Sequence, residues 1–252
     1  MAIKVKDILE QTVVYLNEYS ADMQDQTFAE ETFGAEARTD LLAHIDAAAR
    51  MVAQVAPSHL QEPVTNDSYD LTLTERPDGR LHGTAVLPSR YMRLVYLMSE
   101  HLFRPITVLL PSVHPTYHMQ FCPVAGLGAG SYAPIGYQVD GTIDVHSFDD
   151  NVNVNDNGND NGNGDDNDNV NDNVNVNDNG NDNKVTVTIC YLELPNVTGT
   201  GDSAEYSTLK EELRDVIAMQ AAALYLAMDN AEKAAEATQI ATTMLKGLAQ
   251  ES

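Results

Sequence analysis

Asparagine stands at every odd position from Asn151 to Asn183 except Asp165, and the even positions between hold only valine, aspartate or glycine. No packed fold produces such regularity, so the rest of the chain must specify the structure without this tract. Codons for Val, Asp and Gly all begin with G, and the tract reads as a drifting six-nucleotide repeat expanded within a gene. A chain accepts 33 such residues at an exposed loop tip, because loop-closure entropy rises only slowly with length.

The flanks predict where that loop lies. Residues 142–148 place Ile143, Val145 and Phe148 near period two. Residues 184–192 alternate more cleanly, with Val185, Val187, Ile189 and Tyr191 on one face. The expectation is a hairpin of two antiparallel strands whose connection has swollen. Dense Asp and Asn oxygens also raise calcium. The nearest EF-hand match starts at Asn157 rather than Asp, and its twelfth position is Asp168 instead of a bidentate Glu. No dedicated metal site follows; Asp165, Asp166 and Asp168 are the nearest candidates for loose divalent binding.

The formal charge is −24, and eight of the negative charges are aspartates of the tract, which leaves −16 elsewhere. An acidic surface argues against binding nucleic acid or an anionic membrane, and suits docking on a basic partner. Cys122 and Cys190 lack CxxC spacing and read as two reduced thiols. Residues 1–7 show no apolar core of a signal peptide, and no apolar run approaches 18 residues, so a soluble protein made in the cytoplasm is expected.

Helical periodicity brackets a β-rich middle. Val5, Ile8, Leu9, Val13 and Leu16 form one stripe over residues 4–19. Ala37, Leu41, Ile45, Ala48, Val52 and Val55 form another, from near Gly34 to Ala56, ended by Pro57. Tyr69–Thr74, Leu81–Leu87 and Tyr91–Met98 read as strands, the first two joined by the turn Pro77-Asp78-Gly79. Residues 111–136 read as a long loop. Beyond the tract, Leu209, Leu213, Val216, Ile217, Ala221 and Leu224 lie on one helical stripe. Asp229 is placed to cap a further helix, with Glu232 at the capping-box position. The predicted class is α+β: N-terminal and C-terminal helices packed together, and a central antiparallel β domain carrying a long disordered Asn/Asp hairpin insertion. The divisions are residues 1–60, N-terminal helices; 61–150, β-rich; 151–183, low complexity; 184–195, a closing strand; and 202–252, C-terminal helices.

Candidate chemical sites are sparse. His114 and His118 have the i,i+4 spacing of metal ligands, but Pro115 argues against a helical pair, and no acidic third ligand stands at a family-typical spacing. Gly126, Gly128 and Gly130 are similar to a phosphate loop without its lysine or following helix. There is no nucleophile elbow and no convincing Ser/His/Asp order. Neither enzymatic activity nor a cofactor is expected. Arg90 and Arg93 stand out in a chain poor in basic residues, first as ion-pair groups and second as contacts to an acidic neighbouring subunit.

Four segments carry a resemblance. They are Ile8–Glu18, Ala49–Pro57, the run Leu87-Pro-Ser-Arg-Tyr-Met-Arg-Leu94, and Ala221–Ala235. Their order resembles the head-to-tail adaptor (connector, ring or neck) proteins of tailed bacteriophages, including those of short-tailed and crAss-like phages. The resemblance implies a structural virion protein of the head-tail neck. Twelve copies would form a ring docked on the portal protein and carrying the tail or next ring protein. DNA would pass only as cargo through an acidic lumen, and no membrane is involved. On this reading Ala221, Ala222, Leu224 and Ala235, with Arg90 and Arg93, are candidates for subunit or portal contacts. The alternative is a non-enzymatic binding module whose acidic surface loop binds calcium weakly.

Overall fold

A computed structural model describes residues 2–20, 35–76, 80–122, 133–148 and 184–250. In chain order these form strand β1 (Ala2–Lys4), helices α1 (Val5–Ser20) and α2 (Ala35–Val55), and strands β2 (Val64–Glu75), β3 (Leu81–Val86), β4 (Tyr91–Met98) and β5 (Leu109–Pro111). Next come the short helix α3 (Pro115–Met119) and strands β6 (Ile135–Val139), β7 (Thr142–Phe148), β8 (Lys184–Glu193), β9 (Val197–Thr198) and β10 (Glu205–Lys210). Helices α4 (Arg214–Leu226) and α5 (Ala231–Gln250) close the described chain. The structure is thus α+β, as expected. It divides into two compact units: a helical unit of Met1–Val64, Arg90–Arg93 and Tyr191–Ser252, and a sheet unit of Thr65–Ser89 and Leu94–Cys190.

In the helical unit the predicted stripes become one core. Ile8, Leu9, Val13 and Leu16 of α1 meet Leu41, Ile45, Ala48, Val52 and Ala53 of α2 and Val216, Ile217, Ala221 and Ala222 of α4. Every residue from Val216 to Ala223 is buried, and a helix apolar on all sides belongs in the middle of its neighbours. Helix α4 packs against α1, α2 and α5, so the N-terminal and C-terminal helices do pack together. Four alanines in its buried run, Ala218 and Ala221 to Ala223, let those neighbours approach closely.

Two expectations about the C-terminal part need correction. Residues 205–210 are strand, not the start of a helix: β10 pairs antiparallel with β1 and β9 in a three-stranded sheet. Leu209 fits the helical stripe because it stands four residues before Leu213, yet it is buried as part of the strand, as is Tyr206 three residues before it. The cause is a break in register, since Ile3 faces Tyr206 while Ala2 faces Lys210. The cap of α5 is Asn230 rather than Asp229: its side-chain oxygen accepts from the Lys233 N–H at 3.0 Å.

The seven-stranded sheet runs in the order β4-β8-β2-β3-β7-β6-β5. Strands β2/β3, β3/β7 and β6/β7 pair antiparallel, and β5/β6 parallel. This order overturns the hairpin reading. Strands β7 and β8, consecutive in sequence, are separated by β3 and β2. Alternation identifies a strand but not its partner, and a connection this long easily crosses two neighbours. The tract itself lies outside the described residues, as do Pro77–Gly79 and Gly126, Gly128 and Gly130. The tight hairpin of the sheet is β6–β7, where Val139 faces Thr142 across Asp140 (φ +44°) and Gly141 (φ +82°). Positive φ at both central residues is the type I′ signature, and Asp-Gly supplies it at low cost.

Candidate functional site

Strand β7 was expected to bury one face, with Ile143, Val145 and Phe148. Those residues are buried, but so are Asp144 and His146, which alternate with them. Two residues apart on a strand, Asp144 and His146 share a face of the sheet. His82 of β3 stands directly opposite His146, while Tyr137 of β6 stands opposite Asp144. Two strands distant in sequence, β3 and β7, thereby bring two imidazoles and a carboxylate together, with Tyr137 of β6 beside them.

His82 Nδ1 lies 2.9 Å from Asp144 Oδ1, and His146 Nε2 lies 3.1 Å from Asp144 Oδ2. The imidazole rings stack, with centroids 5.1 Å apart and 23° between planes. The His146 side chain is wholly buried, and that of Asp144 is 6% exposed. Aromatic rings wall the cluster. Phe121, Tyr137 and Tyr117 meet the His146 ring edge-on at centroid distances of 5.2, 5.6 and 6.1 Å. The Tyr117 hydroxyl donates to Asp144 Oδ2 at 3.3 Å.

Helix α3 carries that wall. Pro115 opens the helix instead of forbidding it, because the missing N–H of proline costs nothing at the first turn. His114 caps it by accepting from the Thr116 N–H. Thr116 Oγ1 then meets the Tyr137 hydroxyl at 2.9 Å, and Gln120 Nε2 donates to the same oxygen at 3.3 Å, which ties the helix to β6. His114 and His118 therefore frame the cover and do not join the histidine cluster.

Burial acts on the charges in opposite ways. Desolvation pushes the Asp144 carboxyl up, but the imidazoles of His146 and His82 beside it outweigh that effect and hold the group well below the ordinary carboxylate range. Desolvation holds His146 below its ordinary value despite the neighbouring carboxylate. An anionic Asp144 beside a neutral His146 results. Neither ring nitrogen of His146 has a hydrogen-bond partner, because the 3.1 Å approach of Asp144 lacks hydrogen-bond alignment. A buried donor or acceptor left in this way costs about 1–3 kcal/mol.

The chain matches no protein-family model, and no curated protein matches it. The residues themselves therefore carry the chemistry. Two imidazoles and one carboxylate are a donor set for a divalent transition metal. Among the described residues, the hydroxyls bonded to Asp144 or its wall are the phenols of Tyr117 and Tyr137 and the hydroxyl of Thr116. Burial and the adjacent Asp144 raise the Tyr117 phenol above its ordinary range, so it serves as a donor.

The residues singled out from sequence fall elsewhere. Arg90 donates to the Leu194 carbonyl and pairs with Glu193 at 3.7 Å. Arg93 donates to the Ala56 carbonyl, just past the end of α2, at 3.1 Å. Both arginines thus hold the helical unit together. Ala221 and Ala222 are fully buried in its core and offer no surface to a neighbour, which corrects their reading as interface residues. Leu224 is partly buried against that core, and Ala235 is exposed. A depression of about 420 Å³ lined by Gln54, Tyr91, Met92, Arg93 and Leu194 gathers no set of reactive groups. Asp165, Asp166 and Asp168 lie outside the described residues. Cys190 is buried and Cys122 partly so, both as free thiols.

Apolar periodicity does not reveal the histidine cluster, because its members are the polar residues that alternate with the apolar ones along β7 and their partner on β3. Asp144-x-His146 in an otherwise β-branched run was the available signal. His82 is 62 positions from Asp144, and only the β3–β7 register joins them.

Proposed function

We propose that this chain is a structural, non-enzymatic head-to-tail adaptor of a tailed bacteriophage. On this reading copies form a ring on the portal protein at the capsid vertex and carry the next tail component. What supports it is the fate of the four segments that bear the resemblance. Ile8–Glu18, Ala49–Pro57 and Ala221–Ala235 lie in one helical unit, joined by Arg90–Arg93 from the middle of the third segment, Leu87–Leu94. Arg93 fastens that segment to the end of α2, and Arg90 fastens it to residues 193–194. Residues spread over more than 200 positions thus build one compact unit, which suits a part that bears load between subunits. Among the described residues no helix is long and apolar enough to cross a membrane, and the formal charge of −24 suits a channel wall that repels passing DNA.

The test is co-expression with the portal protein encoded nearest to this gene, followed by negative-stain microscopy. Closed rings seen only with portal are expected, unaffected by calcium. A chain that stays monomeric beside portal, with a melting temperature that rises in calcium, would instead favour a ligand-binding module. Absence of portal and major-capsid genes beside this one would also sink the adaptor reading.

A further inference from the structure

We propose that His82, Asp144 and His146 bind one divalent transition-metal ion, zinc, as a structural site inside the sheet unit. The three side chains each offer a ligand atom, and those atoms lie within 4.8 Å of one another. Zinc holds nitrogen and carboxylate oxygen at about 2.0–2.2 Å, which sets neighbouring ligands roughly 3.3 Å apart in a tetrahedron. The Asp144 oxygens already stand 2.9 and 3.1 Å from the two imidazole nitrogens. A metal therefore needs only small rotations of these side chains.

The second observation is His146. It is wholly buried, its Nε2 faces Asp144 across 3.1 Å, and neither nitrogen has a hydrogen-bond partner. A metal on Nε2 gives that nitrogen a bond that the protein alone does not supply. Asp144 has the support expected of a ligating carboxylate, because the Tyr117 hydroxyl donates to Oδ2 at 3.3 Å.

The donor set selects among metals. Calcium and magnesium take oxygen shells, and imidazoles serve them poorly. Ferrous iron also accepts two histidines and a carboxylate, but its oxygen chemistry needs open positions. Here Phe121, Tyr137 and Tyr117 crowd the His146 ring. Tetrahedral zinc leaves one further position, for a single water, where octahedral iron leaves three, so zinc suits that enclosure better; its role is to pin β3 to β7 and, through Asp144 and Tyr117, to hold α3 on the sheet. The inference does not rest on the adaptor reading, since neither ring nor portal enters it.

The test uses the full chain without a polyhistidine tag. We expect one zinc per chain by elemental analysis, a lower melting temperature after chelation, and recovery with zinc but not with calcium or magnesium. Cobalt(II) in its place should give the strong visible bands of four-coordinate geometry. Asp144→Asn and His82→Ala should each weaken zinc binding by at least 100-fold, and Tyr117→Phe by about 10-fold. A wild-type chain that carries no zinc and melts identically in zinc and chelator overturns the proposal, whatever the variants do. So does zinc uptake that survives Asp144→Asn and His82→Ala but disappears on deleting residues 151–183, which would place the ion on the acidic tract.

Discussion

Arg93 shows how a single side chain changes meaning once its partner is known. As a lone cation in an acidic chain it suggested a docking contact, yet its guanidinium donates to the Ala56 carbonyl just beyond α2. Arg93→Ala should therefore cost about 1.5–3 kcal/mol of stability by itself, the range for a hydrogen bond to a charged group. An unchanged denaturation midpoint, with only portal binding lost, would return the residue to the interface. Gly141 makes a conformational claim instead. At φ +82° in the β6–β7 turn, a Cβ meets no neighbour within 4 Å, so Gly141→Ala pays only for the backbone. That cost is about 1–2 kcal/mol, and the melting temperature should fall by a few degrees. Tyr206 gives a pH signature. Burial, and then the Asp46 carboxylate that accepts its hydroxyl, raise its pKa from 10.0. The unfolded chain ionises near 10 while the folded chain does not. The contribution is thus complete below pH 10 and is lost as pH rises beyond it, by up to about 1.4 kcal/mol per pH unit. Chemical denaturation between pH 9 and 11 should show a slope that Tyr206→Phe reduces, and equal slopes would refute the assignment.

At the scale of elements, what the sequence disclosed depended on how local the deciding interaction was. The stripes of α1 and α2, the span of β4 and the alternation of β8 are each set within one segment, and periodicity reveals them. Partner choice is not local. Strands β7 and β8 looked like a hairpin because they follow one another, but β3 and β2 lie between them. Short elements such as β1, β9 and β10 exist through pairing, so Glu205–Lys210 read as helix until its partners Ala2–Lys4 and Val197–Thr198 were in place. The histidine cluster suffered both problems, since it needs the β3–β7 register and a cover from α3 in a stretch that read as loop. The corrected strand order also sharpens what replacing the tract should do. Joining β7 to β8 across two strands spans three interstrand spacings, roughly 14 Å, or about five extended residues as a minimum. Replacing residues 149–183 with ten Gly-Ser residues should leave the fold intact, whereas two residues should not suffice. Two residues would be enough to close a hairpin between β7 and β8, so a well-folded variant with the two-residue linker would contradict the strand order.

Charge governs the whole molecule. A chain with a formal charge of −24 repels its own copies, and any ring it forms must overcome that repulsion through packing. Salt weakens the opposition, because the screening length falls from about 30 Å at 0.01 M to about 8 Å at 0.15 M. Ring assembly on the portal should therefore strengthen as salt is raised over that range, measured by sedimentation velocity at fixed concentrations of both proteins. The tract supplies eight of the negative charges, so a variant lacking residues 151–183 carries −16. Repulsion between like charges scales roughly with their product, and 16² against 24² leaves less than half of it. The variant should associate at lower salt than the full chain, with the same stoichiometry, if packing of the folded units holds the ring. Association that weakens with salt would mean that opposite charges on the units drive assembly, and acidic repulsion would no longer explain why monomers wait for a portal.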